Sequence, residues 1–139
     1  MIGAIIAKRM ARSGFDTLNR HDLVEFMVSW VEDGTWIFPG NVPISGETKG
    51  KKAIETAFAK WMEQFPKTNF TIKEIFVSNI FALGATNNIA VEWDIEETDR
   101  EGKEFHNSGV TIIRVKNGKA VAIKEYIFDS ASMEESWKK

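Results

Sequence analysis

The chain has 139 residues, 43% hydrophobic and 27% charged, with a formal net charge of −2 and no cysteine. That length suits one domain, 1–139, large enough to bury a core without a disulfide or metal staple. Zero cysteines exclude disulfides, thiolate metal centres and cysteine nucleophiles; the slight acidity argues against a nucleic-acid partner, and no run approaches the roughly 20 apolar residues of a membrane span.

Met1 to Ala7 is apolar, but its positive charges (Lys8, Arg9, Arg12) follow the run instead of preceding it, so it reads as the start of a helix and not as a signal peptide. Ile6, Met10, Phe15 and Leu18 share one face of that helix. Asp22 and Glu25 have capping-box spacing at the head of a second helix. Its face is Leu23, Phe26, Met27 and Trp30, and Asp33-Gly34 ends it. Thr35 to Phe38 is a short strand, and Asn41 to Gly50 reads as a loop. A third helix carries Ile54, Phe58, Trp61 and Phe65 on one face and closes at Pro66.

The remainder has strand character. Phe70 to about Leu83 is β-rich with a bulge expected near Ser78-Asn79, and Ile89 to Glu97 alternates cleanly. Asp99 to Gly102 is a turn, Glu104 to Lys116 a strand, and Asn117-Gly118 a hairpin leading into the last strand, Lys119 to Phe128. A polar tail from about residue 130 reads as frayed. Helices followed by an antiparallel meander make an α+β domain with helices on one face of the sheet.

Alternation assigns the inner face. Val91, Trp93 and Ile95 point toward the helices, as do Thr111, Ile113 and Val115 on the next strand. On the last strand Ile123, Glu125 and Ile127 do the same, which sets one carboxylate, Glu125, on an apolar face. Desolvation there raises its pKa, whereas bonds from Asn107, Thr111 or a buried water would keep it low. Ile112, Tyr126 and Phe128 share the outward parity and form an apolar patch suited to a homodimer. His21 reads as a loop or capping residue and His106 as an outward one. No His/Asp/Glu grouping has metal-ligand spacing, so no metal and no cofactor is expected.

Four segments carry a family resemblance: Phe15-Asp-Thr-Leu-Asn-Arg-His-Asp-Leu23, Asp33-Gly-Thr-Trp-Ile-Phe-Pro-Gly40, Ser45-Gly-Glu-Thr-Lys-Gly-Lys-Lys-Ala-Ile54, and the end from Asn117-Gly-Lys119 to Lys124-Glu-Tyr-Ile-Phe-Asp129. Together they resemble the SnoaL-like branch of the nuclear transport factor 2-like superfamily, to which ketosteroid isomerases and limonene-epoxide hydrolases also belong. The resemblance implies a cystatin-like cone: three N-terminal helices on a curved, mainly antiparallel sheet that encloses an apolar pocket, commonly as a homodimer. It also implies which chemistry is missing. Phe38 stands where the isomerases carry their general-base Asp, Gly14 or Phe15 where they carry an oxyanion Tyr, and Thr111 about where they carry a protonated Asp. The water-holding Tyr and Asn of the epoxide hydrolases would be Trp36 and Phe38, and their Arg and Asp fall on apolar positions between Val91 and Ile95. The acid of their last strand matches Glu125, and the last-strand acid of SnoaL-type cyclases matches Glu125 or Asp129.

Two functions stay open on this reading. One is a cofactor-free acid/base isomerase, cyclase or hydrolase for a small apolar, cyclic or carbonyl-bearing compound, with Glu125 as proton carrier. Its ligand would meet Trp36, Phe38, Phe58, Trp61, Val91, Trp93, Asn107 and Thr111. The other is a non-catalytic ligand-binding or dimerisation module with a vestigial pocket. A cytoplasmic setting fits a chain without cysteine.

Overall fold

The computed structural model describes residues 1–82 and 86–138. In chain order it contains α1 (Ile2–Asn19), α2 (Leu23–Val28), β1 (Trp30–Phe38), β2 (Gly46–Lys49), α3 (Lys51–Gln64), β3 (Lys67–Val77), β4 (Asn87–Thr98), β5 (Glu104–Lys116), β6 (Lys119–Ile127) and α4 (Ser130–Ser136). The strands form one sheet in the order β2-β1-β6-β5-β4-β3. Neighbours are antiparallel except β1 and β6, which run parallel. Helix α1 packs on β3 and β4, and α3 on β1, so the helices cover one face. This is the α+β architecture that the residue pattern and the family resemblance both imply.

The local signals act through familiar physics. Asp22 caps α2 by accepting from the Glu25 amide at 3.1 Å, which satisfies a donor the helix itself leaves open. Ile54, Phe58, Trp61 and Phe65 all lie in the core, as their helical spacing requires. Asn117 and Gly118, with φ of 51° and 82°, make the tight turn between β5 and β6.

Four expectations need correction. Trp30 belongs to β1 and not to α2, and Asp33-Gly34 lies inside that strand. The Ser29 carbonyl accepts from the Ala120 amide at 2.7 Å, which draws the chain into the sheet one helical turn early. Trp30 still meets Phe26, at 6.4 Å between rings, because the helix face and the strand's inner face look into the same core. The expected loop from Asn41 to Gly50 contains β2, a short exposed edge strand paired from Gly46 to Lys49 with β1; four polar residues give no periodicity to read. The irregularity in β3 falls between Ile72 and Glu74 instead of at Ser78-Asn79, and β3 stops at Val77; Leu83 lies outside the described residues.

The fourth correction is the C-terminal segment, which is not frayed. Asp129 accepts from the Ser132 amide at 3.0 Å and opens α4. Met133 and Ser136 are buried. Trp137 meets Phe65 edge-on at 5.5 Å, and the Gln64 side chain donates to the Ser136 carbonyl at 2.9 Å. The three anchors Met133, Ser136 and Trp137 lie at i, i+3, i+4 in an otherwise polar stretch, a stripe too short to stand out by composition. Among the described residues no helix is long and apolar enough to cross a membrane.

Candidate functional site

A cavity of about 110 Å³ lies between the helices and the concave face of the sheet. A water needs roughly 10–15 Å³ of such space, so the cavity has room for several waters or one small organic molecule. Its wall is mostly aromatic. Trp36 lies 4.3 Å from Phe58 and 5.3 Å from Phe38 between ring centroids, and Phe70 lies 5.2 Å from Trp93 and 6.0 Å from Trp61. These rings serve the core and the cavity wall at once. Burying them stabilises the fold, and the faces they leave toward the cavity supply apolar area for a ligand.

Glu125 sits on this wall, held from two sides. The Thr111 hydroxyl donates to Oε1 at 2.5 Å, and the Trp36 indole N–H donates to Oε2 at 3.3 Å. The Trp93 indole N–H donates to Thr111 Oγ1 at 2.8 Å. An indole nitrogen can only donate, so Thr111 spends an acceptor site on Trp93 and its single proton on Glu125. The backbone register makes this chain possible. Thr111 is opposite Glu125 across β5 and β6, and Trp93 is opposite Gly109 across β4 and β5. At Gly109 any Cβ would stand 2.7 Å from Cη2 of Trp93 and would overlap the Tyr126 carbonyl, so only glycine lets the indole cross the strand. The parallel pairing sets Trp36 beside Ile123, two residues from Glu125 on the same face.

Burial pushes the Glu125 carboxyl up to about 7, against the opposing effect of the Thr111 and Trp36 bonds. Both expected influences are therefore present, and desolvation is the larger. Such a group exchanges its proton near neutrality.

Of the other residues proposed from sequence, Trp36, Phe38, Phe58, Trp61, Trp93, Asn107 and Thr111 line the cavity. Val91 does not. It is fully buried within the core cluster, and the wall there is formed by its bulkier neighbour Trp93. Asn107 reaches the rim, but its amide is engaged in the fold: Nδ2 donates to the Asp129 carbonyl at 2.8 Å, and Oδ1 accepts from the Asp129 amide at 3.1 Å. It ties β5 to the start of α4, which is a different task from orienting a ligand. Asp129 is exposed and caps α4, which leaves Glu125 as the last-strand acid on the cavity. His106 is exposed beside Glu96 at 3.8 Å, and His21 leans on Trp61 with centroids 5.8 Å apart. Among the described residues no three His, Cys, Asp or Glu side chains gather as a metal ion would need.

Sequence reasoning missed Glu97. Its carboxylate lines the same cavity and accepts from the Trp61 indole N–H at 2.8 Å, and burial pushes it up to about 7 as well. The signal was available, because Glu97 shares the parity of Val91, Trp93 and Ile95.

The chain matches the SnoaL-like domain family over residues 11–123, and it belongs to that family. Solved structures agree on the fold. Bal32a, from a soil-derived mobile gene cassette, superposes with a TM-score of 0.84 at 20% identity, covering 98% of this chain and 99% of that one. A nuclear transport factor 2-like protein of unknown function from Burkholderia pseudomallei gives 0.80 at 20% identity, covering 96% and 98%. TerC, co-crystallised with polyporic acid, gives 0.77 at 17% identity, covering 96% and 99%. No curated protein matches the sequence.

The two raised carboxyls have a consequence for stability. An unfolded Glu releases its proton around 4.5, while Glu125 and Glu97 hold theirs in the folded state to about 7. Between those values the native state binds more protons than the unfolded state, so stability falls as pH rises through that window and levels off above it. Thermal melts should show Tm declining from pH 5 to pH 7.5, with a shallower decline in Glu125→Gln and in Glu97→Gln. A wild-type Tm that rises or stays flat across that range would contradict the burial of these groups.

Proposed function

We propose that this protein binds a small apolar, cyclic or carbonyl-bearing molecule in the cavity, and that Glu125 moves a proton on it without a cofactor. The observation that carries the reading is the Glu125 carboxyl itself, set on an aromatic wall, oriented by Thr111 and Trp36, and poised at about 7. Thr111 is a positioning residue here: it fixes one carboxylate oxygen and leaves lone pairs of the carboxylate for a substrate proton. That TerC was co-crystallised with polyporic acid supports a small organic occupant for a cavity of this fold. Isomerisation, cyclisation and hydrolysis are the reaction classes one proton carrier in an apolar site can serve.

The non-catalytic alternative has its own support. Phe38 and Trp36 occupy the first-strand positions at which related enzymes carry polar groups, so a second catalytic group is absent from that strand. Proton transfer to carbon separates the two readings without knowledge of the natural substrate. Cyclic ketones incubated in D₂O should exchange their α-hydrogens faster with the protein than in buffer, with a rate that rises through about pH 7 as Glu125 ionises. Glu125→Gln should lower that rate on the order of 10²–10⁴-fold, while the uncharged dye Nile red binds both proteins equally. Equal exchange in the two proteins, with dye binding intact, would establish the binding module instead.

The outer face of the sheet supports a homodimer. Tyr126 is 49% exposed, Phe128 88% and Phe76 57%, and the strand register puts Ile112 on the same face as Phe76 and Tyr126. A patch of this kind left wet is uncommon in soluble proteins. A cytoplasmic setting remains the fitting one for a chain without cysteine. Sedimentation at micromolar concentration should give twice the 15.8 kDa chain mass, and Tyr126→Glu with Phe128→Glu should halve it. A wild-type monomer would refute the dimer.

A further inference from the structure

Glu97 takes no part in the proton transfer proposed above, yet it is built into the cavity as carefully as Glu125. Across the sheet it stands opposite Phe105 of β5, while Glu125 stands opposite Thr111, six residues further along the same strand. Six residues are about 20 Å measured along a strand, so the two carboxyls stand at separate places on one cavity wall. Each has an indole N–H on one oxygen, from Trp61 and from Trp36. Phe58 connects the two indoles, with its centroid 6.4 Å from Trp61 and 4.3 Å from Trp36, and Phe70 connects Trp61 to Trp93 at 6.0 and 5.2 Å.

The cavity wall has a one-sided charge. Among the described residues its titratable side chains are these two carboxyls and His106, with no lysine or arginine. The lysine and arginine side chains around Glu97 lie at the surface or are engaged with other groups. His21, against Trp61, has its pKa lowered by burial, which disfavours the charged imidazolium there. His106 of β5 is exposed beside Glu96. Arg100, beyond the end of β4, pairs with Glu63 of α3 at 3.5 Å on the surface, and Lys103 lies over the Phe105 ring at 5.0 Å. Lys67 of β3 is exposed.

We propose that Glu97 is a specificity-determining residue which, with Glu125, makes the cavity accept uncharged or ammonium-bearing apolar molecules and reject carboxylates, sulfonates and phosphates of the same shape. The inference rests on the ligand-binding reading given above. An anion placed between the rings meets a like charge in a poorly solvated space, where Coulomb repulsion is least screened. A neutral carbonyl or hydroxyl can bond to either carboxyl. An ammonium gains from the carboxylates and from the negative faces of the tryptophan rings.

A matched series tests this by calorimetry: 2-naphthylmethanol, 2-naphthylmethylamine and 2-naphthoate, at pH 5.5 and pH 8.5. With the wild type at pH 8.5 the alcohol and the amine should bind at least tenfold more tightly than naphthoate. At pH 5.5, with the carboxyls protonated, the gap between alcohol and naphthoate should narrow. Glu97→Gln keeps an acceptor for Trp61 and should narrow the gap several-fold at pH 8.5, with a thermal melt confirming the fold. Naphthoate binding as tightly as the alcohol at pH 8.5, or a gap that Glu97→Gln leaves unchanged, would overturn the proposal. So would failure of all three ligands while Nile red binds, and that result would leave the ligand-binding reading standing. If the dye fails too, the reading beneath the proposal falls with it.

Discussion

The chain of hydrogen bonds from Trp93 through Thr111 to Glu125 is the constraint around which the site is organised. It links three consecutive strands of the sheet, and each member fixes the next. Trp93 cannot accept, so the Thr111 hydroxyl must point its proton at the carboxylate. The Trp36 indole closes the arrangement from β1, which pairs with β6 and sets Trp36 beside Ile123. Gly109 provides the room that the Trp93 ring needs. Polar groups buried in this way are tolerated because each has a hydrogen-bond partner inside the protein.

Placing a carboxyl on this wall has opposite consequences for folding and for chemistry. Desolvation makes the charged form expensive, which weakens the folded state once the pH passes through the carboxyl's titration. The same desolvation brings the carboxyl into the range where it can take or give a proton at neutral pH. Glu97 repeats the pattern with Trp61 as its donor. The aromatic wall is thus both the core that holds the helices on the sheet and the low-dielectric medium that tunes two acids.

Much of this was legible in the residues themselves. Strand alternation put Glu125 inward between Ile123 and Ile127, and the spacing of Ile54, Phe58, Trp61 and Phe65 identified the α3 face. Glu97 obeyed the same parity but lay at the end of the strand, beside Glu96, where the apolar alternation of Val91, Trp93 and Ile95 has already stopped. Val91 shared the inner face with Trp93, but parity cannot tell a side chain buried in the core from one that reaches the cavity. Asn107 shows a related limit, since the partner that occupies its amide, Asp129, is 22 residues away in sequence. Strand β2 and helix α4 are short and polar, and both exist because of what they pack against: β1 in one case, Phe65 and Gln64 in the other.

The most direct measurement is a carboxyl ¹³C NMR titration of Glu125 in the wild type and in Thr111→Val. Burial of the carboxyl predicts a midpoint raised to about 7 in the wild type, and a higher one in the variant because a donor to the charged form is lost. A wild-type midpoint near 4.5, the value of an ordinary glutamate, would contradict the account, because the carboxyl would then be in water and not in the wall of the cavity.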